Sequence, residues 1–85
     1  MERILSTPCS ADQASAMMKN SWRYVRVKNA HVRIHPPTSD VSVSPSGPVR
    51  YVATIEVLDN DAAPWGKADE DGVAALTAVF GDVLS

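Results

Sequence analysis

VRYVATIEVL, residues Val49–Leu58, is the stretch that decides the fold. Its odd-numbered positions are apolar or aromatic, whereas Arg50, Thr54 and Glu56 occupy alternate positions. Alternation of this kind is typical of a β-strand that buries one face and exposes the other to water. We therefore predict a strand over this segment, with Arg50 on its polar face.

A second strand-like region, SWRYVRVKNAHVRIH, covers residues Ser21–His35. It is rich in the aromatic and β-branched residues that strands favour. Val25 and Val27 stand at odd-numbered positions, whereas Ala30, Val32 and Ile34 stand at even-numbered ones. The alternation therefore changes at Lys28 and Asn29. The change favours a bulge within one long strand, and the alternative is a tight hairpin at the same two residues.

Residues 36–48, PPTSDVSVSPSGP, separate the two strand regions. Four prolines, four serines and one glycine in this segment predict a long Pro/Ser-rich loop, because proline cannot donate to a sheet ladder. Val41 and Val43 could form a short edge strand within it. A loop of this length in a small domain is typically either mobile or used for binding.

Two helices are predicted, one before and one after the strand regions in the chain. Ser10 and Gln13 have the spacing of a capping box, which predicts a short first helix that ends near Asn20. Apolar residues at helical spacing predict a C-terminal amphipathic helix over 69–84. The acids Asp69, Glu70 and Asp71 then lie in its first turn, where negative charge favours the helix dipole, so we interpret them as caps.

These elements predict one α+β domain over residues 1–85. Its small antiparallel sheet has two long strands plus one or two short ones and packs against the C-terminal helix. The short N-terminal helix is expected at a sheet edge or on the same face. An exposed sheet edge would allow a homodimer or pairing with another protein.

Composition limits the environment and the class of partner. The chain has no apolar run of the roughly 20 residues that cross a bilayer, so no membrane association is expected. A single cysteine, Cys9, predicts a reducing compartment such as the cytoplasm. Residues 1–50 carry a net charge of +4 and residues 51–85 a net charge of −6. Such asymmetry favours electrostatic steering towards a partner.

The sequence contains no recognisable catalytic set, no glycine-rich phosphate loop and no cluster of cysteines and histidines. His31 and His35 would point the same way on a strand but lie about 13 Å apart, too far to share one metal ion. We therefore expect no cofactor, no metal and no enzymatic activity. His31, Arg33 and His35 are expected to form a row on the polar face.

Basic and aromatic residues of the two strand regions are the candidate binding site. The predicted partner-binding residues are Trp22, Arg23, Tyr24, Arg26, Arg33 and Arg50. Arginine, tryptophan and tyrosine dominate the energetics of protein interfaces, and these residues fall in the positive half of the chain. We predict a non-catalytic inhibitor or adaptor that occupies an acidic surface of a larger partner protein. Small phage-encoded anti-defence and assembly proteins have the same profile of short chains without motifs. Interleaved aromatics and cations can also bind RNA or DNA, but the acidic start of the last helix favours protein.

Residues 27–84 also resemble a known family. VKNAHVRIH, VRYVATIEV, Trp65-Gly66 and the final amphipathic helix are similar in order to the C-terminal regulatory module of isopropylmalate and citramalate synthases. The resemblance implies a dimeric module that binds a branched-chain amino acid. Lys67-Ala68 and the acids replace the family's glycine-containing loop, so no ligand-binding residue carries over to this chain.

Overall fold

The computed structural model describes residues 3–27, 30–40, 50–58 and 67–84, and it has the predicted α+β class. Two helices accompany a four-stranded antiparallel sheet. In chain order the elements are β1 (Arg3–Cys9), α1 (Ala11–Lys19), β2 (Tyr24–Val27), β3 (Ala30–Asp40), β4 (Arg50–Leu58) and α2 (Glu70–Phe80). No helix in these ranges is both long and apolar enough to cross a bilayer.

The sheet has the strand order β1-β4-β3-β2. Its first strand, β1, was not predicted from the sequence. It pairs antiparallel with β4, so that Arg3 lies opposite Val57 and Cys9 opposite Tyr51. The segment RILSTPC has little alternation and contains a proline. Its strand conformation therefore depends on a partner far along the chain.

The predicted bulge at Lys28 and Asn29 is wrong, and the hairpin alternative is right. β2 and β3 pair antiparallel, with Val27 opposite Ala30. Lys28 and Asn29 themselves lie outside the described residues. The apolar parity changes there because one strand ends and the next begins, which returns the apolar side chains to the same face of the sheet.

The predicted loop over 36–48 begins too early in the chain. β3 continues through Pro36 and Pro37 to Asp40, with a shift of register between His35 and Thr38. The irregularity accommodates the two prolines, whose missing N–H groups would otherwise interrupt a regular ladder. Residues 41–49, including the suggested strand at Val41 and Val43, lie outside the described residues.

Both predicted helix starts are confirmed. Ser10 and Gln13 form the capping box at the start of α1, and Asn20 caps its C-terminus. Asp69 is the N-cap of α2, and its carboxylate accepts a hydrogen bond from the N–H of Gly72 at 3.1 Å. The helix itself ends at Phe80, earlier than the predicted Leu84.

Both helices pack on the same face of the sheet, and no helix among the described residues covers the opposite face. Met17 of α1, together with Leu76 and Phe80 of α2, joins one core cluster with the inward side chains of β2, β3 and β4. The sheet contributes Val25, Val27, Val32, Ile34, Ala53, Ile55 and Val57 to that cluster. Side chains of the opposite parity form what we call the open face.

A buried asparagine joins the end of α1 to the start of α2. Asn20 is completely buried, and its amide donates to the carbonyl of Ala16 at 2.9 Å and to the Asp69 carboxylate at 3.0 Å. Its side-chain oxygen accepts from the N–H of Asp69 at 3.0 Å. Lys19 adds an ion pair to Asp69 at 3.2 Å. Asp69 therefore fixes the two helices to each other as well as capping α2.

Candidate functional site

The open face carries most of the aromatic and charged side chains that were predicted to bind a partner. The register places Arg33 of β3 opposite Tyr24 of β2 and Glu56 of β4, so all three lie on this face. His31 and His35 share the parity of Arg33, which places the predicted row of β3 side chains here. The concentration of these groups on the sheet face that neither described helix covers makes it the candidate site.

An unusual backbone conformation at Trp22, just before β2, accompanies the placement of its side chain against this face. The N–H of Trp22 donates to the carbonyl of Ile34, while the N–H of Ile34 donates to the carbonyl of Arg23 at 2.9 Å. Two residues thus face one across the ladder, which is a β-bulge. Trp22 has φ of 66°, the left-handed conformation that glycine normally supplies at the first position of such a bulge.

The indole of Trp22 lies against two polar side chains of β3. Its ring centroid is 4.8 Å from that of His35, and the guanidinium carbon of Arg33 lies 5.7 Å from the ring centroid. These distances are those of an aromatic pair and of a cation–π contact. Trp22 nevertheless remains 49% exposed. The sheet therefore positions a large aromatic side chain and leaves half of it available to a partner.

Glu56 contacts both polar side chains of β3 that lie against Trp22, namely Arg33 and His35. Its carboxylate accepts hydrogen bonds from Nε and Nη2 of Arg33, the former at 3.0 Å, and lies 3.4 Å from Nε2 of His35. The hydrogen bond from Arg33, and to a smaller extent that from His35, holds the pKa of Glu56 below its ordinary value. The same carboxylate raises the pKa of Arg33. Arg33 is therefore a paired cation that positions Trp22.

The remaining predicted residues differ in how much surface they present. Tyr24 is buried, with its ring edge-on to His31 at 6.0 Å, so it offers little surface for a partner. Arg23 is exposed and donates to the carbonyl of Lys67 at 3.3 Å. Arg26 is exposed on the open face beside them.

Arg50 is not part of the same cluster. It begins β4, six residues before Glu56, which is roughly 20 Å along a strand. The sequence correctly indicated its polar parity but could not show that the cluster forms at the other end of the sheet. The contact of His35 with Trp22 was missed because it depends on the bulge that pairs Trp22 with Ile34. The contact of Glu56 with Arg33 was missed because only the register of β3 on β4 places them side by side.

Within the described ranges, no group of three histidine, cysteine, aspartate or glutamate side chains is arranged to hold a metal ion. Cys9 is partly buried on β1, and burial raises the pKa of its thiol. The described part of the site consists of the Trp22 ring, the Arg33–Glu56 ion pair and the exposed cations Arg23 and Arg26. Groups of these kinds are common in non-covalent binding surfaces.

Comparisons with known proteins give no family assignment. No protein-family model matches the chain, and neither curated proteins nor solved structures include a significant match.

Proposed function

We propose that the chain is a non-catalytic protein-binding module, of the inhibitor or adaptor type, that contacts a larger partner through its open face. The observation that carries this proposal is Trp22, a half-exposed tryptophan held in a left-handed backbone conformation. Backbone strain of this kind is typical of functional sites. Trp22 is the anchor of the proposed contact.

The surroundings of Trp22 support a protein partner with an acidic surface. Arg23 and Arg26 are exposed close to it in sequence, and Arg33 stacks on its ring. Glu56 is the acid paired with Arg33, and its carboxylate is already engaged. Rim cations of this kind raise association rates with acidic surfaces, while a buried aromatic anchor supplies most of the affinity.

Affinity capture from cells of the source organism tests the proposal, with the intact protein as bait and nuclease present throughout. We expect one or more proteins to be retained by the wild-type chain and lost with Trp22→Ala. Met18→Ala is the matched control, because Met18 is an equally exposed apolar residue (54%) on α1. A partner captured in this way is then purified for direct measurement.

With the purified partner, Trp22→Ala should weaken binding more than about tenfold, and Arg26→Glu should mainly slow association. Met18→Ala should bind like the wild type. Loss of binding in Glu70→Lys/Asp71→Lys, with Trp22→Ala unaffected, would move the contact to the helices and contradict the proposal. Partners that are captured only when nuclease is omitted would instead indicate RNA or DNA binding, and a rise in melting temperature with branched-chain amino acids alone would indicate a small-molecule regulatory module.

A further inference from the structure

The two edge strands of the sheet, β2 and β1, differ in what pairs with their outer sides. At the β2 edge, Lys67 forms a parallel bridge to Tyr24, and the N–H of Ala68 donates to the carbonyl of Tyr24 at 3.1 Å. At the other edge, β1 pairs with β4 on one side only, and no strand among the described residues pairs with its outer side. Ile4 on this strand is 63% exposed. β1 is therefore the edge at which a further strand could be added.

The hydrogen bonds at the other side of the sheet show which groups of β1 point outwards. Ile34 directs both its N–H and its carbonyl towards the segment before β2. Consecutive residues of an antiparallel ladder alternate in direction. Carried across the register from β3 to β4 to β1, this alternation turns the peptide groups of Leu5 and Thr7 towards β4. Those of Ile4, Ser6 and Pro8 point away from the sheet.

We propose that β1 pairs antiparallel with β1 of a second copy, about a two-fold axis at Leu5, to form one continuous sheet across a homodimer. In this register Ile4 of each copy lies opposite Ser6 of the other, and each residue both donates and accepts a hydrogen bond. An axis at Ser6 would instead place Pro8 opposite Ile4. Because proline has no N–H, the carbonyl of Ile4 would then have no backbone donor. The position of Pro8 thus favours the axis at Leu5 over the axis at Ser6.

The side chains fit the same arrangement on both faces. Leu5, a partly buried residue packed on the core, would meet Leu5 of the second copy on the helix-covered face. The two exposed Ile4 side chains would become diagonal neighbours on the open face, within reach of each other. Edges that resist pairing usually carry charged residues or proline, and β1 has these only near its ends, as Arg3 and Pro8. The stretch between them, residues 4–7, has no charged side chain and no proline. A second copy is therefore the occupant that this edge fits.

The first experiment measures the oligomeric state by sedimentation at increasing protein concentration, because dimerisation follows mass action. We expect a monomer–dimer equilibrium in the wild type. Ser6→Pro, which removes only an outward N–H from the backbone, should raise the dissociation constant at least about tenfold. Ser6→Ala is the matched control: it removes the hydroxyl that bonds Thr54 but keeps the N–H, and it should leave the dimer unchanged. A wild type that remains monomeric, or an equal loss in both variants, would overturn the proposal.

The second experiment tests the axis and does not depend on the folding of Ser6→Pro. In a Cys9→Ser background, Leu5→Cys should form an intermolecular disulfide on mild oxidation, because the two copies of residue 5 face each other. Thr7→Cys lies on the same face, but its two copies would be about 13 Å apart along the strands, too far for a disulfide. Equal cross-linking of both variants, or of neither, would contradict the proposed register. Trp22→Ala should leave the dimer intact, which separates this inference from the proposed binding site.

Discussion

At the scale of single residues, Trp22 combines a backbone cost with an exposed side chain. A non-glycine residue in the left-handed region loses about 1–2 kcal/mol relative to the right-handed helical region. The contacts of its indole with the His35 ring and the Arg33 guanidinium offset part of this cost. Substitution by glycine separates the two contributions, because glycine adopts this conformation without a steric penalty.

We therefore expect Trp22→Gly to be more stable than Trp22→Ala by about 1 kcal/mol, although both lose the indole. Urea denaturation monitored by circular dichroism measures the difference. Both variants should lose partner binding equally, since neither has the anchor. If alanine and glycine gave the same free energy of unfolding, the left-handed conformation at this position would not be a source of strain.

Gly72 is a second residue whose identity is constrained by a neighbour, because the side chain of Asn20 leaves no room for a Cβ. A Cβ added there would lie 2.8 Å from Cγ of Asn20, which three hydrogen bonds hold in place. Within a helix, Gly→Ala ordinarily stabilises by about 1 kcal/mol. Here overpacking, which costs about 1–3 kcal/mol, should exceed that gain.

We expect Gly72→Ala to destabilise the protein, and Asn20→Ala to cost about 1–3 kcal/mol through lost buried hydrogen bonds. The double variant should cost less than the two single changes together, because Asn20→Ala removes the atoms that the new methyl group meets. Urea denaturation of all four proteins gives this coupling. Strict additivity would show that Gly72 is not constrained by Asn20.

At the scale of elements, the start of α2 depends on the ionised form of Asp69. Hydrogen bonds from the N–H of Gly72 first, and from Asn20 second, lower the pKa of this carboxyl to about 2. The folded-state pKa lies below the unfolded value, so ionised Asp69 stabilises the fold fully above about pH 4. The contribution falls as the pH drops towards 2, since the unfolded state then binds the proton first.

Asp69→Asn tests this directly, because asparagine is an equally good N-cap but carries no charge. We expect the wild type to have the higher melting temperature at pH 7. The two melting temperatures should converge between about pH 4 and pH 2, where the wild-type carboxyl is protonated. A difference that stays constant over this range would mean that the charge of Asp69 does not contribute to stability.

Elements whose signals are local could be predicted from the sequence. The capping box at Ser10 and the N-cap at Asp69 depend on residues three positions apart, and both were found. The face of β4 followed from its alternation. β1 was missed because RILSTPC becomes a strand only by pairing with β4, and the site cluster was incomplete because Glu56 and Arg33 meet only through register. The left-handed conformation at Trp22 could not be foreseen, since tryptophan carries no turn signal.

At the scale of the whole molecule, the fold combines a local hairpin with one pairing between distant segments. β2 and β3 are adjacent in the chain, whereas Ser6 of β1 pairs with Thr54 of β4. Closing the longer loop costs more entropy, so contacts of β1 should form late in folding. We therefore expect the β2–β3 hairpin to form early in folding and the β1–β4 pairing to form late.

Stopped-flow refolding measures this order. Leu5→Ala on β1 should mainly speed unfolding, while Val32→Ala in the hairpin should also slow folding, because its contacts form earlier. The comparison is valid where each change costs more than about 0.6 kcal/mol. Slower folding in Leu5→Ala than in Val32→Ala would reverse the proposed order.

The position of β1 also matters while the chain is being made. β1 is synthesised before α1, β2 and β3, but its partner strand β4 begins only at Arg50. At about 5–20 residues per second, translation takes on the order of seconds to reach that residue. During that interval β1 has neither edge paired in the nascent chain, so nascent copies on one polysome could meet through it. β1 is thus the first described strand to be translated, yet it can join the sheet only after β4 has been made.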